Sequence, residues 1–217
     1  YFMLYSFLNL PNCIYELRFG FRANLSAFHA LISLTEKIRE SLDSNNFTCG
    51  VFIDLQKAFD TVNHDILLHK LNHYGVRGAA NNLFRSYLSN RQQFVYINGF
   101  HSSYKTMHYG VPQGSVLGPL LFLIYINDLH KALKFCMTHH FADDTNLLYS
   151  SSSIKKIQKY VNLDLRFLCK WLKANKISLN ASKTEIIIFR DPRKKTEFEL
   201  KIKIDGKKIF LLNLSNT

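Results

Sequence analysis

The sequence predicts an α+β fold in which helices back a small antiparallel sheet. Three patterns support this prediction. A β-prone run at residues 49–53 ends in Asp54, and two further apolar runs, 135–140 and 146–149, flank a short acidic segment. Between residues 154 and 172, apolar side chains recur every three or four positions, which is typical of an amphipathic helix. The order of these elements favours a split βαβ arrangement.

Four segments of the chain have the apolar spacing of helices. Ala27, Leu31, Leu34, Ile38 and Leu42 have helical spacing, so a helix is expected from Ala27 to about residue 42. Similar spacing predicts helices over 65–74, closed by a glycine, and over 79–88. The stripe from residue 154 to residue 172 follows three serines that are suited to cap a helix.

The remaining elements follow from turn signals. Residues 92–97 and 104–109 are expected to pair as a hairpin around Asn98-Gly99. Residues 110–119 form a loop rich in glycine that opens into an apolar helix at 120–129. Residues 185–189 are predicted to be a final buried strand.

Two adjacent acids, Asp143 and Asp144, are predicted to lie at the tight turn of the hairpin that the runs 135–140 and 146–149 form. Two carboxylates about 4 Å apart repel each other by about 4 kcal/mol at an effective dielectric near 20. A hard divalent cation would remove that cost, because Mg²⁺ and Mn²⁺ prefer oxygen ligands. A solvated turn is the ordinary alternative for this dipeptide taken alone.

A third acid, Asp54, ends the apolar run 49–53, as a buried central strand would deliver a carboxylate at its edge. If that strand lies beside the Asp143-Asp144 hairpin, the three acids converge. Such a cluster can hold two Mg²⁺ ions about 3.5–4 Å apart, the arrangement used for in-line phosphoryl displacement. We therefore predict Asp54, Asp143 and Asp144 as metal ligands.

Composition is compatible with a nucleic-acid partner. The 217-residue chain has a net charge of +12 and a pI near 9.6, which suits a polyanion, although basic surfaces also serve membranes and solubility. The four cysteines form no Cys-x-x-Cys pair, so neither a zinc site nor a disulfide framework is indicated. The apolar runs are too short to span a membrane. An intracellular location, nuclear or cytoplasmic, is expected.

Three motifs, taken in chain order, resemble the successive palm motifs of reverse transcriptases. They are Phe-Ile-Asp-Leu-Gln-Lys-Ala-Phe-Asp at 52–60, Gly-Val-Pro-Gln-Gly-Ser-Val-Leu-Gly-Pro at 110–119 and Phe-Ala-Asp-Asp at 141–144. Residues 19–22 and 179–185 agree with two further motifs. The variants are similar to those of retrotransposons without long terminal repeats, the LINE type, within its jockey-like group. The resemblance extends from about residue 17 to about residue 190.

This resemblance implies a fragment of a right-hand polymerase, with a ferredoxin-like palm, partial fingers and no thumb. Residues 1–48 would belong to the fingers, 49–75 to the palm, 76–112 to a connection between fingers and palm, and 113–195 again to the palm. Residues 196–217 would form a C-terminal extension that ends before the thumb.

The resemblance also implies an RNA-directed DNA polymerase. It would transfer dNTPs to the 3′-hydroxyl of a DNA primer on an RNA template, with two Mg²⁺ ions or with Mn²⁺. The catalytic residues would be Asp54, Asp143, Asp144 and Lys183, where the lysine protonates the leaving pyrophosphate.

Residues that contact substrate follow from the same motifs. Phe59 matches a steric gate that excludes a 2′-hydroxyl, and Gln113 and Gly114 match contacts to the incoming nucleotide. Main-chain groups from Leu55 to Ala58 would lie along the triphosphate. Arg22 would meet the template backbone.

Other polar residues have ordinary interpretations. Asp60 is expected to be a helix cap or a packing carboxylate. His139 and His140 precede the acids, but alternation along a strand would point them apart, and hard cations prefer oxygen.

Two departures from the family pattern concern the template contacts, since Arg18 stands where the family usually has glutamine and Asn24 where it usually has a basic residue. The chain also lacks the family's basic finger residues and its primer-grip motif. Two alternatives remain open: a degenerate, non-catalytic nucleic-acid-binding remnant, and an intron-encoded maturase.

Overall fold

The structure, a computed structural model, describes residues 4, 6, 13–193 and 200–209. Predictions that concern the other residues, at both ends and at 194–199, lie outside the described part. The chain divides into two compact units. We call Tyr1–Cys13 with Lys57–Ile126 the helical unit, and Ile14–Gln56 with Asn127–Thr217 the sheet unit. The boundaries of the palm and finger segments stay a prediction.

The helices of the described part match the sequence periodicity closely. In chain order they are α1 (Ala27–Asp43), α2 (His64–His73), α3 (Gly78–Leu88), α4 (Gly118–Ile126) and α5 (Ile154–Ala174). The prediction for α4 was wrong at its end, because residues Asn127–Ala132 tighten into a 3₁₀ helix. Within the described residues, no helix combines the length and hydropathy that crossing a membrane requires.

The strands confirm the predicted sheet and hairpins. They are β1 (Phe47–Ile53), β2 (Leu55–Gln56), β3 (Gln92–Gln93), β4 (Tyr96–Ile97), β5 (Phe100–His101), β6 (Lys105–Thr106), β7 (Met137–Phe141), β8 (Asp144–Ser151), β9 (Ser178–Leu179), β10 (Glu185–Phe189), β11 (Ile202–Ile204) and β12 (Lys207–Ile209).

A four-stranded antiparallel sheet in the order β10-β1-β8-β7 forms the centre of the sheet unit. Val51 of β1 lies opposite Leu147 of β8 and Ile186 of β10, and all three are buried. The predicted central position of β1 is therefore confirmed. The prediction that β10 is the final strand was wrong, because β11 and β12 follow it.

Helices cover both faces of this sheet. On one face, α1 packs Leu34 and Ile38 against Leu148, with Phe52 beside them. Neighbouring residues of a strand point to opposite faces, and Tyr149 contacts Tyr160 of α5 with ring centroids 5.5 Å apart. Helix α5 thus covers the other face with the predicted stripe, which is buried at Ile157, Val161, Leu165, Leu168 and Leu172.

The hairpin of β11 and β12 docks on α5 through side-chain amides. Asn162 Nδ2 donates to Lys201 O at 2.9 Å, and its Oδ1 accepts from Lys203 N at 2.9 Å. Gln158 Oε1 accepts from Lys201 N at 2.9 Å. These bonds replace the strand neighbour that an edge strand lacks.

In the helical unit, α2 packs against both α3 and α4. Asn63 caps α2, its side-chain oxygen accepting from Ile66 N at 3.1 Å. Lys70 Nζ donates to the backbone oxygen of Tyr125 at 2.6 Å, and the Tyr125 hydroxyl accepts from Asn63 N at 3.2 Å. Helix α4 is therefore anchored by polar bonds within its apolar surroundings.

Residues 91–109, which we call the arm, form a hairpin at the predicted turn. The predicted second strand, 104–109, was wrong in its bounds, because pairing begins at Phe100 and ends at Thr106, and Tyr109 bridges Asn63 instead. Asn98 and Gly99 both have positive φ, 49° and 84°, as a two-residue hairpin turn requires. The ladder divides into the pairs β3–β6 and β4–β5. Between them, Ser102 N donates to Val95 O at 2.9 Å, whereas Val95 N donates to the Ser102 hydroxyl at 3.0 Å instead of a backbone carbonyl. A side chain thus replaces one of the two backbone bonds of this residue pair.

Asp164 of α5 fixes the approach to β7. The side chain is fully buried, and its carboxylate accepts three backbone N–H bonds, from Lys134 at 3.0 Å, Phe135 at 2.9 Å and Cys136 at 2.6 Å. Three charge-assisted hydrogen bonds stabilise the buried carboxylate and fix residues 134–136, which lead directly into β7.

We expect Asp164→Ala to lower the free energy of unfolding by at least about 3 kcal/mol, because three backbone donors lose their acceptor. Urea unfolding measures the change. The matched control is Asp65→Ala, an exposed acid in the first turn of α2, where the loss should stay below about 1 kcal/mol. Equal losses for both variants would contradict this role of Asp164.

Candidate active site

The Asp143-Asp144 pair lies at a two-residue hairpin turn, as predicted. Strands β7 and β8 pair up to Phe141 opposite Asp144, so Ala142 and Asp143 form the turn. Ala142 has a φ of 53°, in the left-handed region. Asp143 is half-buried and Asp144 is exposed.

Asp54 follows β1 directly, one residue beyond Ile53, which lies opposite Thr145. Asn180 holds its carboxylate. The Asn180 Nδ2 donates to Asp54 Oδ2 at 2.8 Å, and Asn180 N donates to Asp54 O at 2.9 Å. Sequence reasoning placed Asn180 in a motif but assigned it no role, because the two residues are 126 positions apart.

Charge links the three acids. The pKa of Asp144 is raised, first because partial burial disfavours its charged form, and then because the charges of Asp143 and Asp54 repel it. The structure thus brings the predicted carboxylates within electrostatic reach of one another. Among the described residues, however, no three His, Cys, Asp or Glu side chains are arranged as a ready metal site.

The donor set nevertheless fits a hard cation in its chemistry. Carboxylate oxygens are the ligands that Mg²⁺ and Mn²⁺ prefer. A bound cation would also offset the repulsion of Asp144 by Asp143 and Asp54. Asn180 bonds the Oδ2 atom of Asp54, which leaves the Oδ1 atom of the same carboxylate for a shared cation.

A cleft of about 690 Å³ in the sheet unit contains Asp54, Asp144 and Lys183 in its lining. Lys183 is exposed and follows the turn that begins at Asn180, whose backbone oxygen accepts from Lys183 N at 3.2 Å. The same turn therefore presents the predicted proton donor and the residue that holds Asp54. Apolar residues of α1, including Ala30 and Leu34, line the cleft as well.

The two histidines before the acids have separate hydrogen-bond partners. His139 Nε2 is 3.1 Å from the Ser33 hydroxyl, and His140 Nδ1 is 3.1 Å from the Thr145 hydroxyl. Burial lowers the pKa of both imidazoles, more strongly for His140. Both rings are therefore neutral near pH 7 and pack as polar members of the sheet.

Residues 17–20 support the acidic turn from one side. Phe19 N donates to His140 O at 2.8 Å and His140 N donates to Leu17 O at 2.9 Å, so this segment runs along β7. A Cβ atom on Gly20 would collide with the backbone nitrogen of Ala142 and lie 2.8 Å from its Cα. Only glycine allows this approach. Sequence reasoning did not single out Gly20.

Arg22 lies directly after this support. It is half-buried, and its Nη1 donates to the backbone oxygen of Arg18 at 3.1 Å. Arg18 itself is fully buried. The predicted contact of Arg22 with a template backbone stays a prediction.

The predicted substrate residues belong partly to the other unit. Leu55, in the sheet unit, is buried and pairs with Leu179. Ala58 of the helical unit is buried, and Phe59 stacks on Phe122 with ring centroids 4.5 Å apart. The contacts of these three residues with a nucleotide stay predictions.

Two backbone bonds join the Phe59 segment to the glycine loop within the helical unit. Val111 N donates to Phe59 O at 2.9 Å and Gly110 N donates to Val62 O at 2.7 Å. A Cβ atom on Gly110 would lie 2.9 Å from the Cα of Asp60, and its φ is +87°.

Past this junction, the glycine loop presents Gln113 and Gly114. The Gln113 Nε2 donates to Asp60 Oδ1 at 2.9 Å, so Asp60 bonds this glutamine, and the capping role belongs to Asn63. Gly114 is exposed with a φ of +77°.

Comparison with known proteins agrees with this geometry. The family described as "Reverse transcriptase (RNA-dependent DNA polymerase)" matches residues 8–204. The chain belongs to the reverse transcriptase family. It is 35% identical over 180 residues to the probable RNA-directed DNA polymerase from transposon BS of Drosophila melanogaster, which covers 77% of this chain and 19% of that protein.

A second relative supports the retrotransposon type. The RNA-directed DNA polymerase from mobile element jockey of the same fly is 29% identical over 196 residues, covering 83% of this chain and 20% of its own length. The chain thus spans about a fifth of the length of these relatives. The predicted jockey-like, non-LTR reverse transcriptase domain is confirmed.

Solved structures confirm the fold. Telomerase from Candida albicans, in complex with a fragment of telomeric RNA, superposes with a TM-score of 0.60 at 15% identity and covers 95% of this chain and 35% of its own. Apo telomerase from Candida tropicalis gives a TM-score of 0.62 at 12% identity over 95% of this chain and 38% of its own. The predicted α+β fold of a right-hand polymerase fragment is therefore confirmed.

We expect Gly20→Ala to destabilise the chain by about 1–3 kcal/mol, because the methyl group cannot be accommodated against Ala142. Amide hydrogen exchange at Ala142 and Asp143 should accelerate with it. The control is Gly206→Ala in the β11–β12 turn, which meets open space but has a φ of +79°. That variant should cost about 1 kcal/mol and leave exchange at the acidic turn unchanged. Unchanged exchange in Gly20→Ala would show that the turn is held by other contacts.

Asp144→Asn is expected to raise the melting temperature at neutral pH without divalent cations, because the neutral amide avoids the cost of partly burying a charge and the repulsion from Asp143 and Asp54. A raised pKa penalises the charged carboxylate in the folded state. The penalty is present above the raised pKa and is lost as the pH falls below the ordinary value of 3.8. Thermal melts from about pH 7 down to about pH 3.5 should show the variant's advantage shrinking. A constant difference across that range would contradict the charge argument.

Proposed function

We propose that this chain is the catalytic core of an RNA-directed DNA polymerase that adds dNTPs to the 3′-hydroxyl of a DNA primer on an RNA template. The observation that carries the proposal is geometric: the pairing of β1 with β8 places Asp54 near Asp144, and both acids line a cleft with Lys183, while Asp143 lies next to Asp144 in the hairpin turn. A reverse transcriptase family chain with carboxylates grouped in this way has the groups that nucleotidyl transfer needs.

Asp54, Asp143 and Asp144 are the residues that would hold two Mg²⁺ ions, or Mn²⁺. When bound, such ions would lower the pKa of the primer hydroxyl and neutralise charge on the triphosphate. The chain's own contribution is positional. Asn180 holds Asp54, the hairpin turn presents Asp143 and Asp144, and Gly20 lets the supporting segment approach that turn.

Lys183 is the proposed proton donor to the leaving pyrophosphate. Its ammonium group stands on an exposed turn at the cleft that Asp54 and Asp144 line. A positioned general acid contributes about 10²–10⁴-fold to a rate, and the positive charge also attracts a polyphosphate.

In the helical unit, we propose that Phe59 selects deoxynucleotides by excluding a 2′-hydroxyl. Its stacking on Phe122 gives the ring a fixed orientation, as steric selection requires. Gln113 and Gly114 would contact the nucleotide from an exposed loop, Gly114 through its backbone, and Gln113 after its amide leaves Asp60. Main-chain groups from Leu55 to Ala58 would lie along the triphosphate.

A net charge of +12 supports binding of RNA and DNA strands. Arg22 is proposed to contact the template backbone. Its guanidinium uses Nη1 on the Arg18 carbonyl, a bond that orients the side chain while leaving other guanidinium donors for phosphate.

A second candidate is a nucleic-acid-binding domain without catalysis. The observation in its favour is that the described acids do not form a ready metal site. The two candidates differ in what loss of a carboxylate does to synthesis, because a non-catalytic domain has no synthesis to lose.

Asp143→Asn should abolish Mg²⁺-dependent DNA synthesis by the protein that carries this chain and leave primer–template binding nearly unchanged. Asparagine keeps the shape of the side chain but removes the charge that would hold a cation. Primer extension with dNTPs and a binding titration measure the two effects. Asp65→Asn on α2, an exposed acid, is the matched control and should extend primers normally. Retained synthesis in Asp143→Asn would place the catalytic acids elsewhere.

Phe59→Val should raise the kcat/KM for ribonucleotides relative to deoxynucleotides, while the kcat/KM for dNTPs falls much less. The ring would no longer fill the space beneath C2′. The control is Phe122→Val, since Phe122 is fully buried and its truncation should cost stability and lower both activities together. An unchanged nucleotide ratio in a folded Phe59→Val protein would remove Phe59 from substrate selection.

A further inference from the structure

The arm, residues 91–109, exposes an unusual set of large apolar side chains. Their exposed fractions lie between 46 and 81%, and the residues are Phe94, Val95, Tyr96, Ile97, Phe100 and Tyr104. Burying such side chains is normally favourable, so leaving all of them exposed is costly unless a partner covers them. A contiguous exposed set of this kind marks a binding surface.

Both faces of the arm are open. Tyr96 lies opposite His101 and Ile97 lies opposite Phe100, so these two pairs point to opposite faces of a two-stranded ribbon. On the Tyr96 face, Phe94 contacts Tyr104 and His101, with ring centroids 4.9 and 6.0 Å apart. The arm therefore presents a group of aromatic rings to solvent.

The stretch of sequence that contains the arm carries basic but no acidic residues. No Asp or Glu occurs in the sequence between Asp65 and Asp128. Basic side chains in the same stretch are Lys70, Arg77, Arg85, Arg91 and Lys105. Arg91 stands at the base of the arm over the Tyr87 ring, 4.9 Å from its centroid, and Lys105 is exposed on the strand opposite Gln93.

We propose that the arm binds single-stranded nucleic acid, with unpaired bases stacked on its aromatic rings and phosphates near Arg91 and Lys105. Exposed aromatic rings beside basic groups, on a hairpin that contains no acid of its own, match a polyanion that carries flat apolar faces. A duplex hides those faces. The proposal rests on the polymerase function proposed above and adds a strand-holding surface outside the carboxylate cleft.

The test uses the whole 217-residue chain and fluorescein-labelled 12-mers of deoxythymidine and of uridine, with a blunt duplex of equal length. We expect Phe100→Ala and Tyr104→Ala to weaken single-strand binding, measured by fluorescence anisotropy, by about five- to 150-fold each, the range for loss of one stacked base. Duplex binding should change less than about twofold. The DNA and RNA oligomers show which strand the arm prefers.

Phe28→Ala is the matched control, because Phe28 is similarly exposed, at 68%, on α1 of the sheet unit. It should bind the 12-mers as the unchanged chain does. Melting temperatures should be nearly equal for all three variants, since each side chain is exposed. Lys105→Gln should reduce the slope of log K against log salt by about 0.7 for a single strand.

Wild-type affinity for both 12-mers in folded Phe100→Ala and Tyr104→Ala would overturn the proposal. So would loss of self-association, measured by sedimentation, without loss of oligonucleotide binding, because the arm would then bind a second copy of the chain. Primer extension in the same variants separates this inference from the proposed function. If the variants still synthesise DNA and bind single strands as tightly as before, the binding role of the arm is wrong and the polymerase function stands. If the variants bind single strands more weakly but the unchanged protein shows no synthesis, the polymerase function is wrong.

Discussion

The antiparallel pairing of β1 with β8 is the constraint on which the position of the three acids depends. Antiparallel pairing of β1 with β8 sets Asp54 one step beyond Ile53 and Asp144 one step before Thr145, two residues that lie opposite each other. The hairpin turn adds Asp143. A register shift of one residue would turn every side chain of β8 to the other face. Register thus determines both the apolar core and the position of the acids, where partial burial and then repulsion from Asp143 and Asp54 raise the pKa of Asp144.

Several contacts hold the acids in place against that repulsion. Asp164 anchors the approach to β7 with three hydrogen bonds, Asn180 bonds the carboxylate of Asp54, and the segment ending in Gly20 packs on Ala142. Each contact lies outside the Asp-Asp motif and joins residues far apart in sequence. A native fold tolerates local electrostatic cost at a functional site when the surrounding structure fixes it. The same rigidity prepares the acids for a divalent cation.

Local patterns predicted much of this fold and the elements that position the site. The helical stripe of α5, the strand before Asp54 and the turn at Asn98-Gly99 follow from periodicity and turn chemistry, which act over a few residues. The support from Gly20 and the bond from Asn180 could not be predicted, because they depend on tertiary contacts across more than 100 residues. The β11–β12 hairpin was missed for a similar reason, since its alternation is short and its anchor, Asn162, lies on a distant helix. The side-chain bond to Val95 N was not predicted either, because it depends on the position of a single serine hydroxyl.

Direct observation of a divalent cation tests the account most sharply. Crystals of the chain grown with Mn²⁺ and a dNTP would reveal manganese by anomalous scattering. The account predicts manganese peaks bound by Asp54, Asp143 and Asp144, with Asp54 Oδ2 still accepting from Asn180. Manganese bound at other residues, or no peak among the three acids, would contradict it.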